Sequence, residues 1–177
     1  TLGSRSFEGC YVDAALSLTN ELCTSIPDYC FTGGDMTSVE LPHVTMVGSY
    51  AFMNCEELTN VVLDSVVNIA IGGFAYNEKI AHVKVSNVIT NMGDHAFRKA
   101  SNSTPMTFEP FLPDSLRSLG QIAFEQCKIQ MDLRLVNKAL ANIPLRCFAS
   151  STLITSVTLS PGIETIGASA FGHLYNC

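Results

Sequence analysis

Val47-Gly48-Ser49-Tyr50-Ala51-Phe52-Met53-Asn54-Cys55 and Ile166-Gly167-Ala168-Ser169-Ala170-Phe171 share the form apolar-Gly-x-x-Ala-Phe, and this form decides the fold because it recurs along the chain. With the Phe as anchor, the series is Phe7, Phe31, Phe52, Phe74, Phe97, Phe124, Phe148 and Phe171, at intervals of 24, 21, 22, 23, 27, 24 and 23 residues. Five residues before each anchor stand Leu2, Ile26, Val47, Ile69, Met92, Leu119, Ile143 and Ile166, all apolar. The next position holds Gly3, Gly48, Gly93, Gly120 and Gly167, with Pro27, Ala70 and Pro144 in the other three repeats. Such residues are expected where the chain turns at a fixed phase. Immediately before the anchor only small residues occur: Ser6, Cys30, Ala51, Gly73, Ala96, Ala123, Cys147 and Ala170.

Nine residues after most anchors begins an in-out-in triplet. The triplets are Leu16-Ser17-Leu18, Val61-Val62-Leu63, Val83-Lys84-Val85, Met106-Thr107-Phe108, Leu133-Arg134-Leu135 and Val157-Thr158-Leu159, with Val39-Glu40-Leu41 one residue early. This period-2 alternation reads as one short strand per repeat. A further apolar slot lies eight before the anchor, at Cys23, Val44, Val66, Ile89, Leu116, Leu140 and Ile163. No repeat can bury so many apolar positions alone. Stacking converts each slot into a continuous ladder, with a spine of Phe rings in the core.

The strand, the apolar pair and Gly-x-x-Ala-Phe-x-x-Cys together resemble the BspA-type leucine-rich repeat, and the resemblance runs from Leu2 to Cys177. It implies an α/β solenoid, curved and right-handed, with a parallel sheet on one side and short helical or irregular turns carrying the Ala-Phe element. About 7–8 repeats of roughly 23 residues then form a single unit over 1–177. The family is associated with adhesion to host or matrix proteins at cell surfaces or in secreted form, not with catalysis, and an extracellular or cell-surface location follows from that association alone. Leu2 already occupies a repeat slot and Cys177 falls six past the last anchor, with no polar capping unit at either end. Because solenoids need caps, the expectation is a segment of a longer protein.

Composition narrows the partners. Hydrophobic residues make up 47% of the 177, charged residues 15%, and mean hydropathy is +0.25, which excludes a disordered linker. No window approaches 18 uninterrupted apolar residues, so no transmembrane helix is expected. With a net charge of −6 and no Lys/Arg cluster, nucleic acid is not an expected partner. The 27-residue repeat between Phe97 and Phe124 carries about four extra residues. They fall either before or after the strand, because Pro110-Phe111-Leu112 competes with Met106-Thr107-Phe108 for its place. Phe111 is then a displaced core residue, as the burial tendency of Phe favours, or an exposed binding aromatic. Asn102-Ser103-Thr104 matches a glycosylation acceptor, of consequence only in a eukaryotic secretory setting.

Chemistry is weakly signalled. The seven Cys fall in core phases, are odd in number and lack a Cys-x-x-Cys pair, so buried free thiols are expected rather than bridges or zinc. His43, His82, His95 and His173 share no column, and Gly33-Gly34-Asp35 and Ile71-Gly72-Gly73 lack phosphate-loop spacing. No catalytic residue, cofactor or metal site is expected. The outward residues of the strands are the candidate binding face: Glu40, Val62, Lys84, Thr107, Arg134 and Thr158 in a central column, with His82 and Asp132 on one flank and Asp64 on the other. This mixed-charge surface suits a protein ligand, with Lys84 and Arg134 as its anchors. Two alternatives stand beside it. One is a purely structural spacer. The other is a carbohydrate-active stacked-strand protein, for which Glu40 and Asp64 are the one near carboxylate pair.

Overall fold

Each repeat places two short strands on the chain, one at the alternating triplet and one ending at the apolar slot five before the anchor. The computed structural model describes residues 2–12 and 14–177. The triplet strands are β1 (Ala15–Ser17), β3 (Ser38–Glu40), β5 (Asn60–Leu63), β7 (His82–Val85), β9 (Thr107–Glu109), β11 (Leu133–Leu135) and β13 (Val157–Leu159). Between them lie two-residue strands: β2 (Ser25–Ile26), β4 (Met46–Val47), β6 (Asn68–Ile69), β8 (Asn91–Met92), β10 (Ser118–Leu119), β12 (Asn142–Ile143) and β14 (Thr165–Ile166). All pair in parallel, in the orders β1-β3-β5-β7-β9 and β2-β4-β6-β8-β10, followed by the pairs β11-β13 and β12-β14. The chain is thus a solenoid of about seven turns with two strand faces.

The anchors form the core. Phe31, Phe52, Phe74, Phe97, Phe124 and Phe148 are buried, and neighbouring rings stack at 5.1–5.6 Å with nearly parallel planes. Phe7 extends the stack at one end and Phe171 at the other.

The Ala-Phe turns are the irregular kind; no helix occurs among the described residues. The physical reason lies in the backbone. The residues two before and two after every anchor have positive φ, for example Tyr50 (56°) and Asn54 (56°) around Phe52, and Ile122 (62°) and Gln126 (59°) around Phe124. Two left-handed residues in five cannot propagate a right-handed helix. They instead aim peptide N–H groups at the next turn: Tyr50, Phe52 and Asn54 donate to the carbonyls of Ile71, Gly73 and Ala75 at 2.8, 2.9 and 3.2 Å. The same ladder repeats from Phe74, where Gly72, Phe74 and Tyr76 donate to Asp94, Ala96 and Arg98.

The glycine four before the anchor has a different role from the one its turn-forming character suggests. Gly120 has no positive φ, but a Cβ there would lie 2.2 Å from the Asp94 nitrogen and the Gly93 carbonyl carbon of the preceding turn. Backbone approaches backbone at this slot. The three-after position adds a side-chain ladder: Cys55, Asn77, Cys127 and Ser151 each donate to the carbonyl of the preceding anchor, Phe31, Phe52, Phe97 and Phe124 respectively. A thiol therefore does here what a hydroxyl or an amide does in neighbouring turns.

The long repeat divides its four extra residues. Val83 lies nine after Phe74, whereas its register partner Phe108 lies eleven after Phe97. From these inward residues to the next apolar slot, Ile89 and Leu116, the counts are six and eight. Two extra residues therefore precede the strand and two follow it. Phe111 is a displaced core residue, half-buried with its ring 5.4, 5.5 and 6.2 Å from those of Phe108, Phe124 and Phe148. Buried Asn137 pins the insertion by donating to the carbonyls of Pro113 and Leu116 at 2.7 and 2.8 Å. Both sheets are interrupted here, with a single parallel bridge, Met106 to Ile129, between the two sets of triplet strands.

Candidate functional site

The outward side of the triplet strands is fixed by register. One column runs Ser17, Glu40, Val62, Lys84, Glu109, and beside it another runs Ser38, Asn60, His82, Thr107. The expectation that Thr107 continues the central column is corrected: the two residues inserted ahead of β9 move it beside His82 and bring Glu109 opposite Lys84. Glu109 is thus a member of the central column that counting from the anchors misplaces. The clue in the sequence is the 27-residue interval itself, which announces a shift without saying where it falls.

Three local arrangements follow. His82 Nδ1 and Thr107 Oγ1 lie 2.8 Å apart. Lys84 Nζ donates to Asp64 Oδ1 at 2.7 Å, between side chains 62% and 45% exposed. Between His82, Lys84, Thr107, Glu109 and Asn60 lies a shallow depression of about 120 Å³. An ion pair this exposed is worth little, about 0–1 kcal/mol, so Lys84 can exchange Asp64 for a partner's carboxylate at small cost.

Asp132, Arg134 and Thr158 lie beyond the interruption, on the β11-β13 pair, where Arg134 is in register with Thr158. Asp132 accepts hydrogen bonds from the hydroxyls of Thr155 at 2.6 Å and Ser156 at 3.0 Å. These hold its carboxyl below the usual carboxylate range, with Arg134 adding to the effect and desolvation opposing it. The structure therefore brings Glu40, Val62, Asp64, His82, Lys84 and Thr107 together on one sheet and sets Asp132, Arg134 and Thr158 on another. Of the Glu40 and Asp64 carboxylates, that of Asp64 accepts from Lys84 through one oxygen.

The buried thiols are inert by position. All seven Cys are free; Cys30, Cys55, Cys127 and Cys147 are buried, Cys10 and Cys23 half-buried and Cys177 exposed. Cys177 departs from the core position its phase suggested. Burial pushes the Cys55 and Cys127 thiols from 9.0 up to about 12, and raises those of Cys147 and Cys30. No group of three or more metal-ligating side chains occurs among the described residues, and no helix there is long and apolar enough to cross a membrane.

Comparison with known proteins agrees with this architecture. The model of the BspA type leucine rich repeat region matches six copies, over residues 1–112 and 74–177. The solenoid is similar to a leucine rich repeat protein of T. pallidum, at TM-score 0.78 and 20% identity, covering 92% of this chain and 77% of that one. It is similar to a leucine-rich repeat protein from Bacteroides ovatus at TM-score 0.67 and 21% identity, covering 99% and 56%. A third likeness, at TM-score 0.55 and 21% identity and covering 93% and 60%, is to a leucine rich cell surface protein from Faecalibacterium prausnitzii. No curated protein matches the chain.

Proposed function

Because the chain belongs to the BspA-type leucine-rich-repeat family, we propose that it is a non-enzymatic protein-recognition module of a surface-displayed or secreted protein, and that the outward columns of the first sheet are its contact surface. The observation that carries this reading is the register that sets Glu40, Lys84 and Glu109 in one column, with Lys84 and Glu109 beside His82 and Thr107 around a depression a single side chain can enter. Opposite charges fixed on neighbouring strands orient a partner and reject misaligned ones. The surface location draws support from the cell-surface protein among the similar structures.

The test is binding of the purified chain to a panel of extracellular-matrix and cell-surface proteins, beside Lys84→Glu/Arg134→Glu. Loss of Lys84 leaves Asp64 and Glu109 facing a third acid, so affinity should fall by at least about tenfold, while Tm moves by no more than about 2 °C. Equal binding by both proteins would overturn the assignment of the face, and binding by neither would favour a spacer. Turnover of a polysaccharide that vanishes with Glu40→Gln or Asp64→Asn would replace the reading with catalysis.

A further inference from the structure

On the side of the solenoid built by the Ala-Phe turns, one acidic residue is buried. Glu125 follows the anchor Phe124, and its side chain is only 2% exposed; the turns on either side carry Arg98 and Ala149 at the same phase. Its two oxygens go to two different arginines. Arg98 Nε donates to Oε2 at 2.9 Å, and Arg146 Nε donates to Oε1 at 2.7 Å. Arg98 Nη1 also donates to the Tyr76 hydroxyl at 2.7 Å, and the Arg98 guanidinium and the Lys99 ammonium lie 5.5 and 5.8 Å from the Tyr76 ring centre.

A buried ion triad is a poor way to stabilise a fold, since apolar residues of similar volume do as well or better, and Met53, Ala75 and Ala149 fill the same slot in other turns. What the triad achieves is to fix two guanidiniums at the surface, 29% and 50% exposed. Among the described residues Arg98 Nη2 and Arg146 Nη1 donate to no protein acceptor. Arg98, Lys99 and Arg146 less the Glu125 carboxylate carry two positive charges, and the pocket that Tyr76 lines adds Glu56, Glu78 and Lys79, which leaves a local excess of one positive charge on a chain whose net charge is −6.

We propose that Arg98 and Arg146, positioned by Glu125, form an oxyanion site that takes the carboxylates of an acidic peptide segment in a protein partner. The planar guanidinium fork matches a carboxylate, and Tyr76 supplies an aromatic wall beside it. Tyrosine and arginine are the side chains that dominate interface energetics. An extended polyanion meets the whole chain's negative charge, whereas a short acidic segment senses the local excess, because charges beyond about 8 Å are screened at physiological salt. The site lies apart from the strand face and does not depend on the function proposed there.

The experiment titrates a blocked hexaglutamate peptide into ¹⁵N-labelled protein at about 20 mM salt, with a sulfated heparin hexasaccharide in a parallel arm. Saturable shifts of the Arg98 and Arg146 Nε–Hε resonances are expected. In the neutral triad Arg98→Gln/Glu125→Gln/Arg146→Gln, which leaves no charge buried alone, the peptide Kd should rise at least about tenfold. Lys84→Glu/Arg134→Glu should leave it unchanged, which separates this site from the strand face. Should the neutral triad fail to fold by circular dichroism, Arg146→Lys, which keeps the charge and loses the fork, should still weaken binding several-fold. Absence of saturable shifts, equal affinity in the variants, or tighter binding of the hexasaccharide than of the peptide would each overturn the proposal.

Discussion

Truncating the central anchor, Phe97→Ala, tests the stacked spine most directly. Phe97 is fully buried, stacked on Phe74 at 5.4 Å and Phe124 at 5.6 Å, with Phe108 edge-on at 5.3 Å. Burying such a ring removes about 150–250 Å² from water, or about 4–6 kcal/mol at 25 cal/mol/Å² as an upper bound. The neighbouring turns cannot slide together to fill the gap, because the backbones above and below are bonded across it: Phe74 and Phe97 donate to the carbonyls of Ala96 and Ala123 at 2.8 Å each. A loss of about 4 kcal/mol is therefore expected, equivalent to roughly 8–16 °C in Tm for a chain of this length. Phe7→Ala supplies the internal comparison, since that ring is 39% exposed and stacks only on Phe31; its loss should cost about 1 kcal/mol. Urea unfolding followed by far-ultraviolet circular dichroism reads both. Costs within about 1 kcal/mol of each other would refute the spine as the seat of stability, because only the spine distinguishes the two positions.

Ile122 holds a β-branched side chain at a φ of 62°, a conformation that costs about 1–2 kcal/mol. Ile122→Asn should raise stability by roughly 0.5–1 kcal/mol after its partial loss of apolar contact, and a lowered urea midpoint would show that packing outweighs the strain. For the thiols, iodoacetamide at neutral pH should modify Cys177 in the folded protein and spare Cys55, Cys127 and Cys147; peptide mapping decides. The folded Cys55 and Cys127 thiols hold their protons to about pH 12 while their unfolded counterparts ionise from 9.0. Their stabilisation is therefore complete below pH 9 and lost as pH rises toward 12, at about 1.4 kcal/mol per pH unit for each thiol. A denaturation midpoint that does not fall between pH 9 and 11, or falls equally in Cys55→Ser/Cys127→Ser, would contradict this.

Periodicity carried the spine, the triplet strands and the buried phases of most Cys, because each depends on side-chain type repeating at a fixed interval. Three features did not show in it. The second sheet is made of two-residue strands such as Asn68–Ile69, too short to display alternation, and only the apolar slot five before the anchor marks where each one ends. The left-handed residues flanking the anchors are Tyr, His, Arg, Lys, Asn, Gln, Ile and Ser as well as Gly, so composition hides a backbone rule imposed by hydrogen bonding to the next turn. The face residues were named correctly as outward, but their alignment across the long repeat required the structure, since a four-residue excess can be split in several ways and only the pairing of Val83 with Phe108 fixes it. Glu125 escaped for a related reason: an acid at the surface-sounding position after an anchor gives no sign of being buried until Arg98 and Arg146, 27 residues before and 21 after, are seen to converge on it.

The fold's stabilising contacts are almost all inter-turn: ring on ring, anchor N–H to the next carbonyl, and Cys, Asn or Ser side chain to the preceding anchor. None of them uses the outward side chains of the strands, and among the described residues only the Arg98–Glu125–Arg146 group links turns through the outer side chains of the Ala-Phe ridge by buried charge. Substitutions on the strand face therefore change recognition with little effect on folding, which is the condition under which such a surface can be altered for a new partner. The ridge obeys the opposite rule. Neutralising either arginine alone leaves one oxygen of the buried Glu125 carboxylate without its donor while the other arginine stays paired, at a cost of about 1–3 kcal/mol, so single substitutions at Arg98 or Arg146 should destabilise more than the triple neutral variant does. Comparing the urea midpoints of Arg98→Gln, Arg146→Gln and the neutral triad tests this ordering. Single variants as stable as the triad would mean that Glu125 is solvated rather than held, and the rigidity assigned to the two guanidiniums would go with it.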